Sequence, residues 1–149
     1  CERDAVLAIS ASGRTPFALG AIGYAREAGA RTLAICCDPD AELVRQVDLA
    51  IVAEVGPEAV AGSTRLKGGL AQKMILHTLS TATMVKLGRV RGNLMTEIQP
   101  LTEKLRARAV AIIARLAGVA PEDARHALNE AGGSVPRALA ALGVSDRGV

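Results

Sequence analysis

The stretch Ser10-Ala11-Ser12-Gly13-Arg14-Thr15-Pro16 follows directly on the apolar run Ala5-Val6-Leu7-Ala8-Ile9 and reads as a buried strand passing through a short loop into a helix. Small hydroxylated residues and a glycine let backbone N–H groups approach an anion closely, and the helix that follows turns its partially positive end toward the same point. Pro16 suits the first turn of that helix. The plainer reading of the same residues is a strand-to-helix turn capped by Ser or Thr. The loop is not a nucleotide P-loop: G-x-x-x-x-G-K is missing, and no G-x-G-x-x-G follows a strand.

Two more apolar runs, Arg31–Cys36 and Leu49–Val52, read as further buried parallel strands. Between the first and second runs, residues 17–28 form an amphipathic helical stretch that stops at Gly29, and between the second and third, residues 40–47 form a shorter one after Asp38-Pro39. Strand, helix, strand, helix, strand predicts a right-handed parallel half-sheet with helices on its faces. Ligands of such sheets bind at the carboxyl ends of the strands, where the Ser10 loop, Asp38 and residues 54–62 fall.

A long helix is predicted over residues 64–87. Leu66, Leu70, Met74, Ile75, Leu79, Ala82 and Val85 cover most of its circumference, so burial is expected, and His77 reads as a core or interface residue rather than a catalyst. Another helix is expected over 100–117, with Leu105, Ala109, Ile112, Ile113 and Leu116 at helical spacing and Gly118 closing it. Beyond it, residues 121–130 and 136–142 read as two short helices joined by Ala131-Gly132-Gly133-Ser134. This hairpin resembles ubiquitin-associated (UBA) modules, with His126 on its surface and 145–149 as a frayed end.

Composition narrows the function. A chain of 149 residues, half of them apolar, is long enough for one medium domain with a small appendage. Phe17 and Tyr24 are the only aromatics, which disfavours recognition of stacked bases. Between Lys86 and Arg115 seven Lys or Arg stand against Glu97 and Glu103; without a nucleic-acid motif this reads as a solvated face. Cys1, Cys36 and Cys37 show no metal spacing and fit a reducing, cytoplasmic setting, with Cys36 and Cys37 as buried small hydrophobes. No run reaches the roughly 20 apolar residues of a membrane span, so no membrane association is expected. A chain starting at Cys rather than Met reads as a fragment or processed piece.

The second distinctive stretch is Val55-Gly56-Pro57-Glu58, followed by Gly62-Ser63-Thr64-Arg65-Leu66-Lys67-Gly68-Gly69-Leu70-Ala71-Gln72-Lys73. Ser63 or Thr64 is suited to cap the long helix, Arg65 or Lys67 to neutralise a phosphate or contact a sugar hydroxyl, and Glu58 to accept from a sugar hydroxyl. A capped helix with solvated cations accounts for Ser63, Thr64 and Lys73 equally well, but not for two anion-friendly loops at one sheet edge.

Taken with Leu79-Ser80-Thr81-Ala82-Thr83-Met84 and Asn93-Leu94-Met95, these motifs closely resemble, in order and spacing, the bacterial N-acetylmuramic acid 6-phosphate etherases, relatives of the glucokinase regulatory protein built on the sugar isomerase (SIS) fold. The resemblance implies an α/β fold: a partial, three-layer SIS-type parallel sheet with flanking helices over residues 1–118, then a UBA-like extension over 119–149. It implies cleavage of a lactyl ether in a sugar 6-phosphate, by elimination from the open-chain aldehyde and then hydration, with no metal or organic cofactor, in a cytoplasmic homodimer. On this resemblance Ser10, Ser12, Gly13, Arg14 and Thr15 contribute to the sugar-phosphate pocket, and Ser63, Thr64, Arg65 and Lys67 shape it. The family's first phosphate loop and its two catalytic glutamates fall before Cys1, so no catalytic acid or base is assigned within the chain. The Thr96-Glu97-Ile98-Gln99-Pro100 segment departs from the usual Asp-containing run. A non-catalytic SIS module that senses a sugar phosphate is the alternative.

Overall fold

The structure, a computed structural model, describes residues 1–144; the frayed end expected at 145–149 lies outside the described residues. The chain divides into two compact units, Cys1–Leu79 and a second that begins at Ser80.

The first unit is built on β1 (Ala5–Ile9), β2 (Arg31–Cys36) and β3 (Leu49–Val52), parallel and in the order β1-β2-β3. The register lines up like residues: Leu7, Leu33 and Leu49 form one row, Ala8, Ala34 and Ala50 the next, and Ile9, Ile35 and Ile51 a third. Because side chains alternate across a strand, the alanine row faces one side and the leucine and isoleucine rows the other. α1 (Pro16–Glu27) and α2 (Glu42–Gln46) pack on the alanine side, where Ala8, Ala18, Ile22, Ala34 and Leu43 share a core. Small residues there let the helices approach closely. α1 and α2 thus share one face, and on the other face Ile35 in the central strand is fully buried while Ile9 and Leu49 are 44% and 57% exposed.

Asp48 ties β3 to β2. Its carboxylate accepts from the backbone N–H and the hydroxyl of the fully buried Thr32, at 2.8 and 3.0 Å, and its own N–H donates to the Thr32 hydroxyl at 3.1 Å. Those bonds from Thr32 hold the Asp48 carboxyl below its ordinary pKa.

α3 (Lys67–Lys86) starts three residues later than the sequence suggests, and it is not buried. Gly68 is its one buried residue, whereas Leu70 and Met74 are 64% and 71% exposed, and His77 is exposed too, not in a core. Apolar residues around a helix specify only that it can be buried; burial also needs a partner surface beside it.

In the second unit, β4 (Val90–Arg91) and β5 (Leu94–Met95) form a two-residue hairpin around Gly92-Asn93, an element the sequence reading did not anticipate. α4 (Glu103–Ala117), α5 (Pro121–Glu130) and α6 (Val135–Ala141) share one core, centred on Ile113, Leu128, Val135 and Leu139, all fully buried. Thr102 caps α4 by accepting from Leu105 N–H, Gly118 ends it in the left-handed conformation (φ 66°), and Ser134 caps α6. His126 lies on the surface, 3.3 Å from Glu130.

Candidate functional site

Three loops converge where β1, β2 and β3 end, and backbone hydrogen bonds tie each to the next. Cys37 N–H donates to Ala11 C=O at 2.9 Å, joining the loop after β2 to the loop after β1, and Ala53 N–H donates to Cys36 C=O at 2.9 Å, joining the loop after β3 to β2.

The loop after β1 is braced from within. Ser10 is buried, and its Oγ accepts from Gly13 N–H at 3.1 Å while sharing a 2.8 Å hydrogen bond with Thr15 Oγ1. Two hydroxyls joined in this way use one proton between them and leave the other to donate outward. Gly13 has φ 61°, and a Cβ there would collide with the Cβ of Ala41. Its carbonyl accepts from Leu43 N–H at 3.1 Å, which fixes the loop to α2. Ser12 is exposed at the tip and its Oγ accepts from Arg14 N–H at 3.4 Å. With Thr15 turned to Ser10, α1 has no side-chain cap; Pro16 has no N–H and Leu19 N–H donates to Thr15 C=O at 3.1 Å, so Phe17 and Ala18 supply the N–H groups left at the open helix start. The plainer alternative, a Ser or Thr side-chain cap on α1, is not what the loop forms.

Arg14 is turned to Asp38: its Nη2 donates to Asp38 Oδ2 at 2.9 Å, while Asp38 Oδ1 accepts from Asp40 N–H at 2.9 Å. The guanidinium, two-thirds exposed, therefore lies at the site's rim with a carboxylate partner. Sequence reasoning put Asp38 at this edge without foreseeing the pair, because the residues are 24 apart and only the adjacency of β1 and β2 unites them.

The second loop is closed by Glu58. Its Oε2 accepts from Lys67 N–H and its Oε1 from Gly68 N–H, both at 2.9 Å, so the start of α3 is capped by a glutamate nine residues upstream, not by Ser63 or Thr64. The bonds from Gly68 and Lys67 hold the Glu58 carboxyl below its ordinary pKa. Ser63 lies before the helix, with its N–H on Val60 C=O at 3.0 Å, and Arg65 and Lys67 are exposed cations. A Cβ at Gly68 would sit 3.5 Å from Cys37 Sγ and 3.5 Å from Glu58 Oε1, so the α3 start, Cys37 and Glu58 are close neighbours. Cys36 is fully buried as expected, but Cys37 is only half-buried at this junction; burial raises both thiol pKa values. Among the described residues no group of three or more His, Cys, Asp or Glu is arranged to hold a metal ion.

The SIS domain model matches residues 1–82, more than half of the chain. The chain belongs to the SIS domain family. Its SIS segment holds both loops described above. The motif resemblance also agrees with similarity to curated proteins. The chain is 48% identical over 139 residues to the N-acetylmuramic acid 6-phosphate etherase of Symbiobacterium thermophilum, covering 93% of this chain and 46% of that protein. It is 49% identical over 129 residues to the etherase of Burkholderia lata, covering 87% and 43%, and 46% identical over 139 residues to that of Yersinia pestis, covering 93% and 47%. The chain spans a little under half the length of these relatives. No helix among the described residues is long and apolar enough to cross a membrane.

Proposed function

We propose that this SIS chain supplies the sugar-phosphate-binding part of an N-acetylmuramic acid 6-phosphate etherase, converting its substrate to N-acetylglucosamine 6-phosphate and D-lactate. The observation that carries the reading is the braced loop at residues 10–15, aimed at the uncapped start of α1 and bonded through Cys37 to the neighbouring loop. Backbone N–H groups and the spare hydroxyl proton of the Ser10–Thr15 pair hold the phosphate, Ser12 lies at its tip, and Arg14 adds charge from the rim. Ser63, Thr64, Arg65 and Lys67 contact the sugar, a role supported by their place in the loop that Glu58 closes at the start of α3.

The chemistry is that of a proton made acidic by a neighbouring carbonyl. In the open-chain aldehyde a base removes the proton beside the carbonyl, lactate departs from the next carbon with a proton from an acid, and water adds to the resulting double bond. The acid and base are glutamates of the longer protein outside this chain. In the same reading the protein is a cytoplasmic homodimer, the leucine and isoleucine face of the sheet carries the second helical layer of the SIS fold, and the α5–α6 hairpin is a UBA-like extension.

The test is D-lactate release from N-acetylmuramic acid 6-phosphate by the complete reading frame that encodes this chain. Release that falls in an Arg14→Ala, Lys67→Ala double variant supports the proposal. No release, with N-acetylglucosamine 6-phosphate still bound, replaces it with the sugar-phosphate sensor.

A further inference from the structure

The carboxylate of Glu58 stands where a phosphate would otherwise be drawn. The N-terminus of α3 offers the same attraction to anions as that of α1, yet its Lys67 and Gly68 N–H groups are both taken by Glu58, at 2.9 Å each. Two helix starts thus flank one sheet edge, one without a side-chain cap and one filled by an internal carboxylate. The bonds also close residues 58–67 into a strap. That strap carries Ser63, Thr64, Arg65 and Lys67, and its closed end leans on Cys37, whose N–H is bonded to Ala11 of the phosphate loop.

From this arrangement we infer that Glu58 is a positioning residue: it binds the start of α3 rather than the substrate, fixes the strap against the phosphate loop, and keeps the phosphate at α1. It does so by two charge-assisted hydrogen bonds that a neutral amide reproduces only in part, since Gln offers one carbonyl oxygen and turns an NH2 group toward the second N–H. The charged and titratable groups beside Glu58 are Lys67, which favours its ionised form, and Cys37, whose thiol it disfavours from ionising. The strap therefore loosens in acid, when Glu58 takes up a proton.

The consequence for substrate rests on the etherase reading; the consequence for the strap does not, and the experiment separates them. Wild-type protein, Glu58→Gln and Glu58→Asp are compared in the complete reading frame by hydrogen exchange of the peptide covering residues 58–70 without ligand, and by the KM and kcat of D-lactate release. In Glu58→Gln, exchange at Lys67 and Gly68 accelerates about tenfold, as expected for losing hydrogen bonds to a charged acceptor. KM rises by a similar factor while kcat changes far less, and Glu58→Asp, which keeps the charge but falls short by one methylene, lies between. Corrected for intrinsic rate, wild-type exchange in this peptide rises on acidification below the ordinary glutamate range, and that of Glu58→Gln does not. Unchanged exchange in Glu58→Gln overturns the inference, and if KM nonetheless rises, Glu58 touches substrate directly. Faster exchange with unchanged KM overturns its link to binding. Absence of lactate release from all three proteins overturns the etherase reading, and exchange alone then decides the capping role. If Glu58→Gln does not fold, Glu58→Asp carries the same comparison.

Discussion

Replacing Gly13 by Ala tests the proposed phosphate loop at its tightest point. At φ 61° an alanine costs about 1–2 kcal/mol relative to glycine. The new methyl also collides with the Cβ of Ala41, a fully buried residue whose Cβ moves only if the backbone moves, and such overpacking costs about 1–3 kcal/mol. The lower freedom of the unfolded chain returns about 0.4–1 kcal/mol. The net expectation is a loss of about 3 kcal/mol, a large part of the 5–15 kcal/mol that holds a typical domain together. Gly20→Ala is the control: a Cβ on that residue of α1 meets nothing within 4 Å, and the change stabilises by about 0.5–1 kcal/mol. Urea unfolding followed by far-ultraviolet circular dichroism, in one protein background, compares them. Gly13→Ala within about 0.5 kcal/mol of wild type refutes the argued fit of the loop against α2, as does an equal loss in Gly20→Ala.

Other predictions follow from the same geometry. Asp38→Asn keeps an oxygen for the Asp40 N–H but releases Arg14 from its ion pair; exposed pairs are worth about 0.2–1 kcal/mol, so stability barely moves while affinity for N-acetylglucosamine 6-phosphate rises up to about fivefold at low salt, measured by calorimetry. Thr32→Val removes the hydroxyl that meets Asp48 in a buried setting and costs about 1–2 kcal/mol in urea unfolding. Asp48 and Glu58 both have depressed folded-state pKa values, so their stabilisation is present above the ordinary carboxylate range and is lost as pH falls through the depressed values. Thermal unfolding across acid pH therefore shows a falling limb below about pH 4, flattened in the Asp48→Asn, Glu58→Gln double variant.

The parts of the fold legible in the sequence are those specified by neighbouring residues. β1, β2 and β3 are short runs rich in apolar residues, and the structure gives them the predicted limits. α5 likewise begins at Pro121, as its local signal indicates, and Gly118 ends α4 because the left-handed turn favours glycine there. The misreadings have different causes, and for α3 a distant residue decides. α3 begins at Lys67 because its cap arrives from Glu58, and a search for Ser or Thr just before the helix finds Ser63 and Thr64 instead. α4 begins at Glu103 because Thr102, not a residue near Pro100, supplies the cap. The hairpin at Val90–Arg91 and Leu94–Met95 is too short to show alternation. In the candidate site, the turn from β1 into α1 was legible as a local pattern, whereas the Arg14–Asp38 pair and the Glu58 strap exist only once the sheet edge assembles them.

The central claim, that residues 10–15 and the start of α1 hold the phosphate of a sugar 6-phosphate, is tested most directly by hydrogen exchange of the complete protein with and without saturating N-acetylglucosamine 6-phosphate. Protection is expected in the peptide covering residues 10–19, lost in Arg14→Ala and matched more weakly by inorganic phosphate. Ligand-dependent protection elsewhere, with this peptide unchanged, contradicts it.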